Sequence, residues 1–180
     1  MHRLFVAIRP PAPARAHLLS LMGGVSGARW QDEDQLHLTL RFVGEVDRHL
    51  ARDVDAALAA VSHGPFEIAA SGIGAFERRG QAHTLWAGIA PQEPVEALAR
   101  KIDQALTRVG LAPESRAYHP HVTLARLPRG AGGLAGLVES SGGVAGPPFE
   151  VNAFCLFESR LTPDGPVYTV AERYPLTGSR

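Results

Sequence analysis

Two short words carry the chemistry of this sequence: His37-Leu38-Thr39-Leu40 and, 84 residues later, His121-Val122-Thr123-Leu124. Each sets a titratable ring and a hydroxyl two positions apart. In a strand, positions i and i+2 face the same way, roughly 7 Å apart. His37 and Thr39 therefore share one face, with Leu38, Leu40 and Phe42 on the other, and His121 and Thr123 share a face opposite Val122 and Leu124. Histidine has an ordinary pKa of about 6.5, so it exchanges protons near neutrality. A neutral imidazole can take a proton from water while an imidazolium gives one to a leaving oxygen. Threonine hydroxyls can donate to the non-bridging oxygens of a phosphate held between the rings. Such a set suits in-line displacement at a phosphodiester, with neither metal nor cofactor.

An arginine would complete it by clamping the phosphate with two parallel hydrogen bonds. Arg41 has the parity of His37 and Thr39 and is expected at the edge of their face. Arg126 is off parity with His121 and Thr123, and reaches their face if the strand bends or ends near Ala125, as Pro128 favours. The competing chemistry is a metal site made by His37, His119 and His121. No carboxylate lies nearby on the right parity, and threonine has no part in a zinc site, so acid–base work is the better reading. His2, His17, His49, His63 and His83 follow no pattern and are read as surface or loop residues.

Positioning these residues requires a particular set of elements. Alternation predicts strands over 3–8, 36–44, 65–70, 83–90, 118–127, 148–161 and 166–176. Helical spacing predicts helices over 12–22, 47–61 with Asp47 as N-cap, and 92–109 with Gly110 just past the end. The glycine-rich stretch 130–146 reads as loop with a short helix around Leu134–Val138. Laid end to end, these make the same unit twice. "LFVAIRP" then helix parallels "LWAGIAP" then helix; each is followed by His-x-Thr-Leu and then by "PFE". The step from His37 to Phe66 is 29 residues, and that from His121 to Phe149 is 28. An α+β fold follows: residues 1–180 as a single bilobal domain, an internal duplication. Two largely antiparallel sheets face a central cleft, helices pack outside, and the His-x-Thr strands meet across a pseudo-twofold axis.

Composition narrows the function. With 18 basic and 18 acidic residues the formal net charge is zero, which argues against gripping long nucleic acid through phosphates alone but allows a small phosphorylated ligand in a local pocket. The single cysteine, Cys155, rules out an intramolecular disulfide and is read as a buried, inert thiol. The N-terminus lacks a signal-like apolar run, and no stretch approaches the ~18 apolar residues of a membrane span. A cytoplasmic monomer without membrane contact is expected.

"RWQDEDQLHLTLRFVGEV" and "YHPHVTLARL" resemble the two signature stretches of RNA 2′,3′-cyclic phosphodiesterases, the 2′-5′ RNA ligase family of the 2H phosphoesterase superfamily. "LFVAIRPP", "LWAGI" and the closing "LFESRL…GPVYTV…YPL" extend the likeness over the whole chain. The resemblance implies the 2H phosphoesterase fold and metal-independent hydrolysis of RNA 2′,3′-cyclic phosphate ends to 2′-phosphomonoesters, with reverse 2′-5′ ligation as a secondary capacity. It also implies His37 as proton donor to the leaving 3′ oxygen, His121 as proton acceptor from water, Thr39 and Thr123 as phosphate ligands, and Arg126 as the arginine trailing the second motif. No cofactor is implied, and the partners expected are RNA ends or small cyclic-phosphate nucleotides. A non-catalytic binder of phosphorylated RNA ends is the alternative, disfavoured because a binder has no need of two titratable rings. Phe42, Trp30, Phe76 and Tyr168 are candidates for stacking on bases, although Phe42 and Trp30 fit the core better.

Overall fold

The structure is a computed structural model in which residues 1–141 and 145–178 are described; positions 142–144 of the glycine-rich stretch lie outside the described residues. The strands are β1 (His2–Ile8), β2 (Arg29–Trp30), β3 (Leu38–Val46), β4 (Phe66–Arg78), β5 (Gln81–Ala90), β6 (His121–Arg126), β7 (Phe149–Val151), β8 (Ala153–Thr162) and β9 (Gly165–Pro175). The helices are α1 (Ala12–Ser20), α2 (Arg48–Ala59), α3 (Glu93–Arg108) and α4 (Leu134–Ser141). Local chemistry sets their ends. The Asp47 carboxylate accepts the His49 and Leu50 backbone N–H groups at the start of α2. Pro94 sits in the first turn of α3, and Gly110 follows its end at a φ of +102°. Val95, Leu98, Ile102 and Leu106 then form one fully buried face of that helix.

All the strand pairs are antiparallel, in the order β7-β4-β5-β6-β3-β1-β8-β9, with β2 beside β6. The two expected sheets thus join edge to edge at β3 and β6. The contact there is the pair Leu38–Val122, the middle residues of the two His-x-Thr words. Continuing that register sets His37 beside Thr123 and Thr39 beside His121. The duplicated "PFE" words also meet: Phe66–Ile68 pairs with Phe149–Val151 around Glu67 opposite Glu150. One pseudo-twofold relation accounts for both crossings. The segment expected as one strand over 148–161 breaks at Asn152, so β7 joins β4 of one arm and β8 joins β1 of the other. This exchange curls the sheet. The helices cross over too, with α1 touching β4 and α3 packing on β3.

Of the places where the strands depart from simple alternation, two fall at matching positions in the two halves. Along β1, Val6 pairs with Arg41 and Ala7 with Thr39, leaving Leu40 as an extra residue in β3. Along β5, Leu85 pairs with Ala125 and Trp86 with Thr123, leaving Leu124 as an extra residue in β6. Each bulge falls on the leucine that follows the threonine, and both leucines stay buried on the helix side. A bulge inverts the facing of the residues that follow it until a further bulge, such as the one at Val43 in β3, inverts it again. Phe42 and Arg126, each five residues past its histidine, are therefore turned onto the histidine face.

Candidate active site

Both histidines stand where a strand begins. A 3₁₀ turn over Glu33–Gln35 precedes the first. It is closed by a capping box, with the Asp32 carboxylate accepting the Gln35 N–H and the Gln35 amide oxygen accepting the Asp32 N–H. His37 Nδ1 then lies 2.6 Å from the carbonyl oxygen of Gln35, and His121 Nδ1 lies 2.7 Å from that of His119. A carbonyl only accepts, so Nδ1 carries the proton in both rings. The same tautomer is thus imposed twice, leaving Nε2 as the basic nitrogen of each neutral ring.

Aromatic rings pack around both. His37 sits 4.9 Å from Phe5 and 5.1 Å from Tyr168, and His121 sits 4.8 Å from Phe76. Burial is accordingly the main reason that both imidazoles titrate below their ordinary range. The carbonyl hydrogen bonds oppose the shift. The positive charge of Arg126 reinforces it for both rings, joined by His121 for His37 and by His119 for His121.

The ladder places the remaining groups in rows across the histidine face. Thr39 stands beside Ala7, which pairs in turn with Cys155. Thr123 stands beside Trp86, which pairs with Gly74. A Cβ on Gly74 would collide with the Trp86 ring, so this glycine is the space the indole occupies. The backbone of Thr39 is tied to the second motif, since Tyr118 Oη donates to its carbonyl at 2.8 Å. In the next row Arg126 stands beside Thr84, and its Nη1 donates to the buried Thr84 hydroxyl at 2.8 Å. Arg126 thus reaches the histidine face by the bulge at Leu124 rather than by the strand ending.

Arg41 does not reach it. The bulge at Leu40 sets it opposite Val6 on the helix side, where Nε meets the Asp103 carboxylate of α3 at 2.7 Å and Nη2 meets the Ala112 carbonyl. The expected phosphate contact for Arg41 is therefore corrected to a structural ion pair. Phe42, expected in the core, is instead 62% exposed beside Phe5.

The sequence matches the family model of the 2′-5′ RNA ligase superfamily over residues 10–162. The chain belongs to this superfamily. It is 35% identical over 141 residues to an RNA 2′,3′-cyclic phosphodiesterase of Aeropyrum pernix, covering 76% of this chain and 80% of that protein. It is 31% identical over 169 residues to an RNA 2′,3′-cyclic phosphodiesterase of Archaeoglobus fulgidus, covering 92% and 96%. The crystal structure of TT0787 of Thermus thermophilus superposes with a TM-score of 0.81 at 29% identity, covering 98% of each chain. That of E. coli LigT in apo form superposes with a TM-score of 0.81 at 25% identity, again over 98% of each chain. The α+β architecture deduced from the duplicated pattern is thus that of the 2′-5′ RNA ligase superfamily.

Several residues of this superfamily member escaped sequence reasoning. Phe5 and Trp86 flank the two motifs, and the signal for them was present: each is the aromatic second residue of the duplicated "LFVAI" and "LWAGI" words. His119 packs against Trp86 at 4.7 Å and stacks on His121 at 5.9 Å. Among the described residues, no three His, Cys, Asp or Glu side chains converge as metal ligands would. Of the stacking candidates, Phe76 and Tyr168 lie against the histidines, while Trp30 is half-buried on the core side. Cys155 is half-buried on the histidine face with Phe5, Phe157 and Tyr168, and burial raises its thiol pKa. His63, expected at the surface, is buried with Nδ1 donating to the Gly64 carbonyl. No described helix is long and apolar enough to cross a membrane.

Proposed function

We propose that the chain hydrolyses RNA 2′,3′-cyclic phosphate ends to 2′-phosphomonoesters without a metal ion or cofactor, working as one bilobal domain, a cytoplasmic monomer, with both histidines from the same chain. The RNA 2′,3′-cyclic phosphodiesterases to which the chain is similar support the substrate class. The observation that carries the mechanism is the antiparallel meeting of the two motifs at Leu38–Val122, with both rings locked in one tautomer.

In the forward direction His121 Nε2 takes a proton from water as the water oxygen bonds to phosphorus. The P–O3′ bond breaks on the opposite side, and His37, protonated at Nε2, gives its proton to O3′. The 2′ ester bond stays intact. Exchange with solvent then returns both rings to their starting states. This direction of proton flow is the one implied by family resemblance. Neither threonine hydroxyl is engaged by another side chain among the described residues. They are free to donate to the non-bridging oxygens, while Arg126 stabilises the charge that builds on phosphorus. A 5′-hydroxyl in place of water forms a P–O5′ bond as P–O3′ breaks, which gives the 2′-5′ joining reaction.

The test is hydrolysis of a short RNA ending in a 2′,3′-cyclic phosphate, in EDTA, by wild type, His37→Ala and His121→Ala. A 2′-phosphate product, lost in both variants, is expected. Turnover that EDTA abolishes, or binding without turnover, would overturn the reading.

A further inference from the structure

We propose that the groove at the tip of the β4–β5 hairpin binds backbone phosphates of the RNA strand whose end occupies the site, so that the enzyme favours oligonucleotides over cyclic mononucleotides. This inference rests on the hydrolase reading above. The groove, of about 690 Å³, is lined by Arg78, Arg79, His83 and Arg129 together with Gln81, Ala82 and Leu127, and no carboxylate lines it. The three arginines are exposed, and none forms an ion pair among the described residues. In a chain with equal numbers of acidic and basic residues, this is a local concentration of charge.

A second groove of about 570 Å³ provides the contrast. There Arg3 and Arg160 are balanced by Glu45 and Glu158. The hairpin groove instead presents three arginines with no carboxylate in its lining, the feature that recognises a polyanion.

Its position fits the body of an RNA strand. The hairpin turns through Arg79 and Gly80, both at positive φ (53° and 73°), the geometry of a tight two-residue turn that sets Arg79 at the tip next to Arg78. His83, in the groove wall, has Nδ1 2.8 Å from the Thr84 hydroxyl that accepts Arg126, and its carbonyl accepts the Leu127 N–H at 3.0 Å. The groove wall and the residue that anchors Arg126 are therefore consecutive along β5. Arg129 follows Arg126 by three residues, at most ~11 Å of extended chain. That is within the span of the nucleotides preceding a terminal phosphate held at Arg126.

The test compares wild type with the triple variant R78A/R79A/R129A and its charge-retaining counterpart R78K/R79K/R129K. Two readouts are needed: fluorescence anisotropy of an oligoribonucleotide bearing a product-like 2′-phosphate end, and hydrolysis of a 2′,3′-cyclic mononucleotide. Three lost phosphate contacts should weaken oligonucleotide binding at least about ten-fold and flatten the slope of log affinity against log salt by about 2. Mononucleotide kcat/KM should stay within about two-fold, because a mononucleotide has no backbone phosphate to place in the groove and these exposed charges are screened by salt. The lysine variant should keep most of the affinity. Unchanged affinity and salt slope in the alanine variant would overturn the assignment, as would an equal loss on both substrates. Failure of wild type to hydrolyse both the mononucleotide and an oligonucleotide with a 2′,3′-cyclic phosphate end would count against the hydrolase reading alone, since binding reads the groove without turnover.

Discussion

The two halves of the site share a skeleton and differ in what surrounds it. Each has a histidine bonded to the carbonyl two residues back, a threonine at i+2, a bulged leucine at i+3 and a side chain returned to the histidine face at i+5. At i+5 one half has Phe42 and the other Arg126. The row behind them differs accordingly. Phe42 continues into Phe5, Phe157 and Val170, an apolar band, whereas Arg126 continues into Thr84 and Phe76. The lesson is a division of labour. Duplication preserved the histidine and threonine of each motif and the tautomer of each ring. Divergence at one position gave the charge to one half and an apolar surface to the other.

The largest expected effect probes what the halves share. His37→Ala and His121→Ala should each lower kcat/KM by about 10²–10⁴-fold, the usual range for a lost general acid or base. A loss confined to one of them would break the equivalence of the halves. Next comes the position where they diverge. Arg126→Met removes a charged hydrogen-bond donor, which should cost roughly 10–100-fold in kcat/KM. It should also move the pH profile. Burial, with Arg126 adding to it, holds both imidazoles below their ordinary range, so the window in which the pair carries one proton lies below the ordinary histidine range in the free enzyme. Removing a neighbouring positive charge raises a histidine pKa, so both limbs of the kcat/KM profile should shift upward in Arg126→Met. A rate loss without that shift would mean that Arg126 acts on substrate alone.

Arg41 sharpens the comparison from the other side. It is the arginine that alternation places on the histidine face and that the bulge sends behind the sheet. Arg41→Met should therefore lower unfolding free energy by on the order of 1–2 kcal/mol, through loss of the Asp103 pair, and leave KM within about two-fold because it touches no substrate phosphate. Denaturant midpoints alongside kinetics would separate the two; a rise in KM with unchanged stability would restore Arg41 to the site.

Most of this arrangement was legible in the sequence because the duplication repeated it. The two motifs, the equal steps to the "PFE" words and the helical faces of α2 and α3 are local patterns, and local patterns survive folding. What was illegible depended on pairing. A one-residue bulge leaves no mark in a strand's composition, since Leu40 and Leu124 remain buried and look like ordinary core positions. Strict alternation consequently misplaced Arg41 and Phe42. It could bring Arg126 to the site only by having the strand bend or end. The break at Asn152, which sends β7 and β8 to different arms, is hidden for the same reason: both sides of it alternate well, and only the partners differ.

The smallest predicted effect tests how finely the second half is built. Thr84 is the residue opposite Arg126 in the ladder, and its buried hydroxyl accepts the guanidinium while lying against His83 Nδ1. Its counterpart beside Phe42 is Phe5, a packing residue with no such duty. Thr84→Val keeps the shape and removes the anchor, so Arg126 gains rotamers that face away from phosphorus. The cost should be about 1 kcal/mol, near a five-fold loss in kcat/KM, and Thr84→Ser should recover most of it by restoring the oxygen. The two substitutions differ in a methyl group and a hydroxyl, so their order is diagnostic. Should the serine variant prove the weaker enzyme, Thr84 would matter for packing as Phe5 does, and the two halves would be more alike than their ladders suggest. In an Arg126→Met background the valine effect should vanish, because an anchor without its guanidinium has nothing to position.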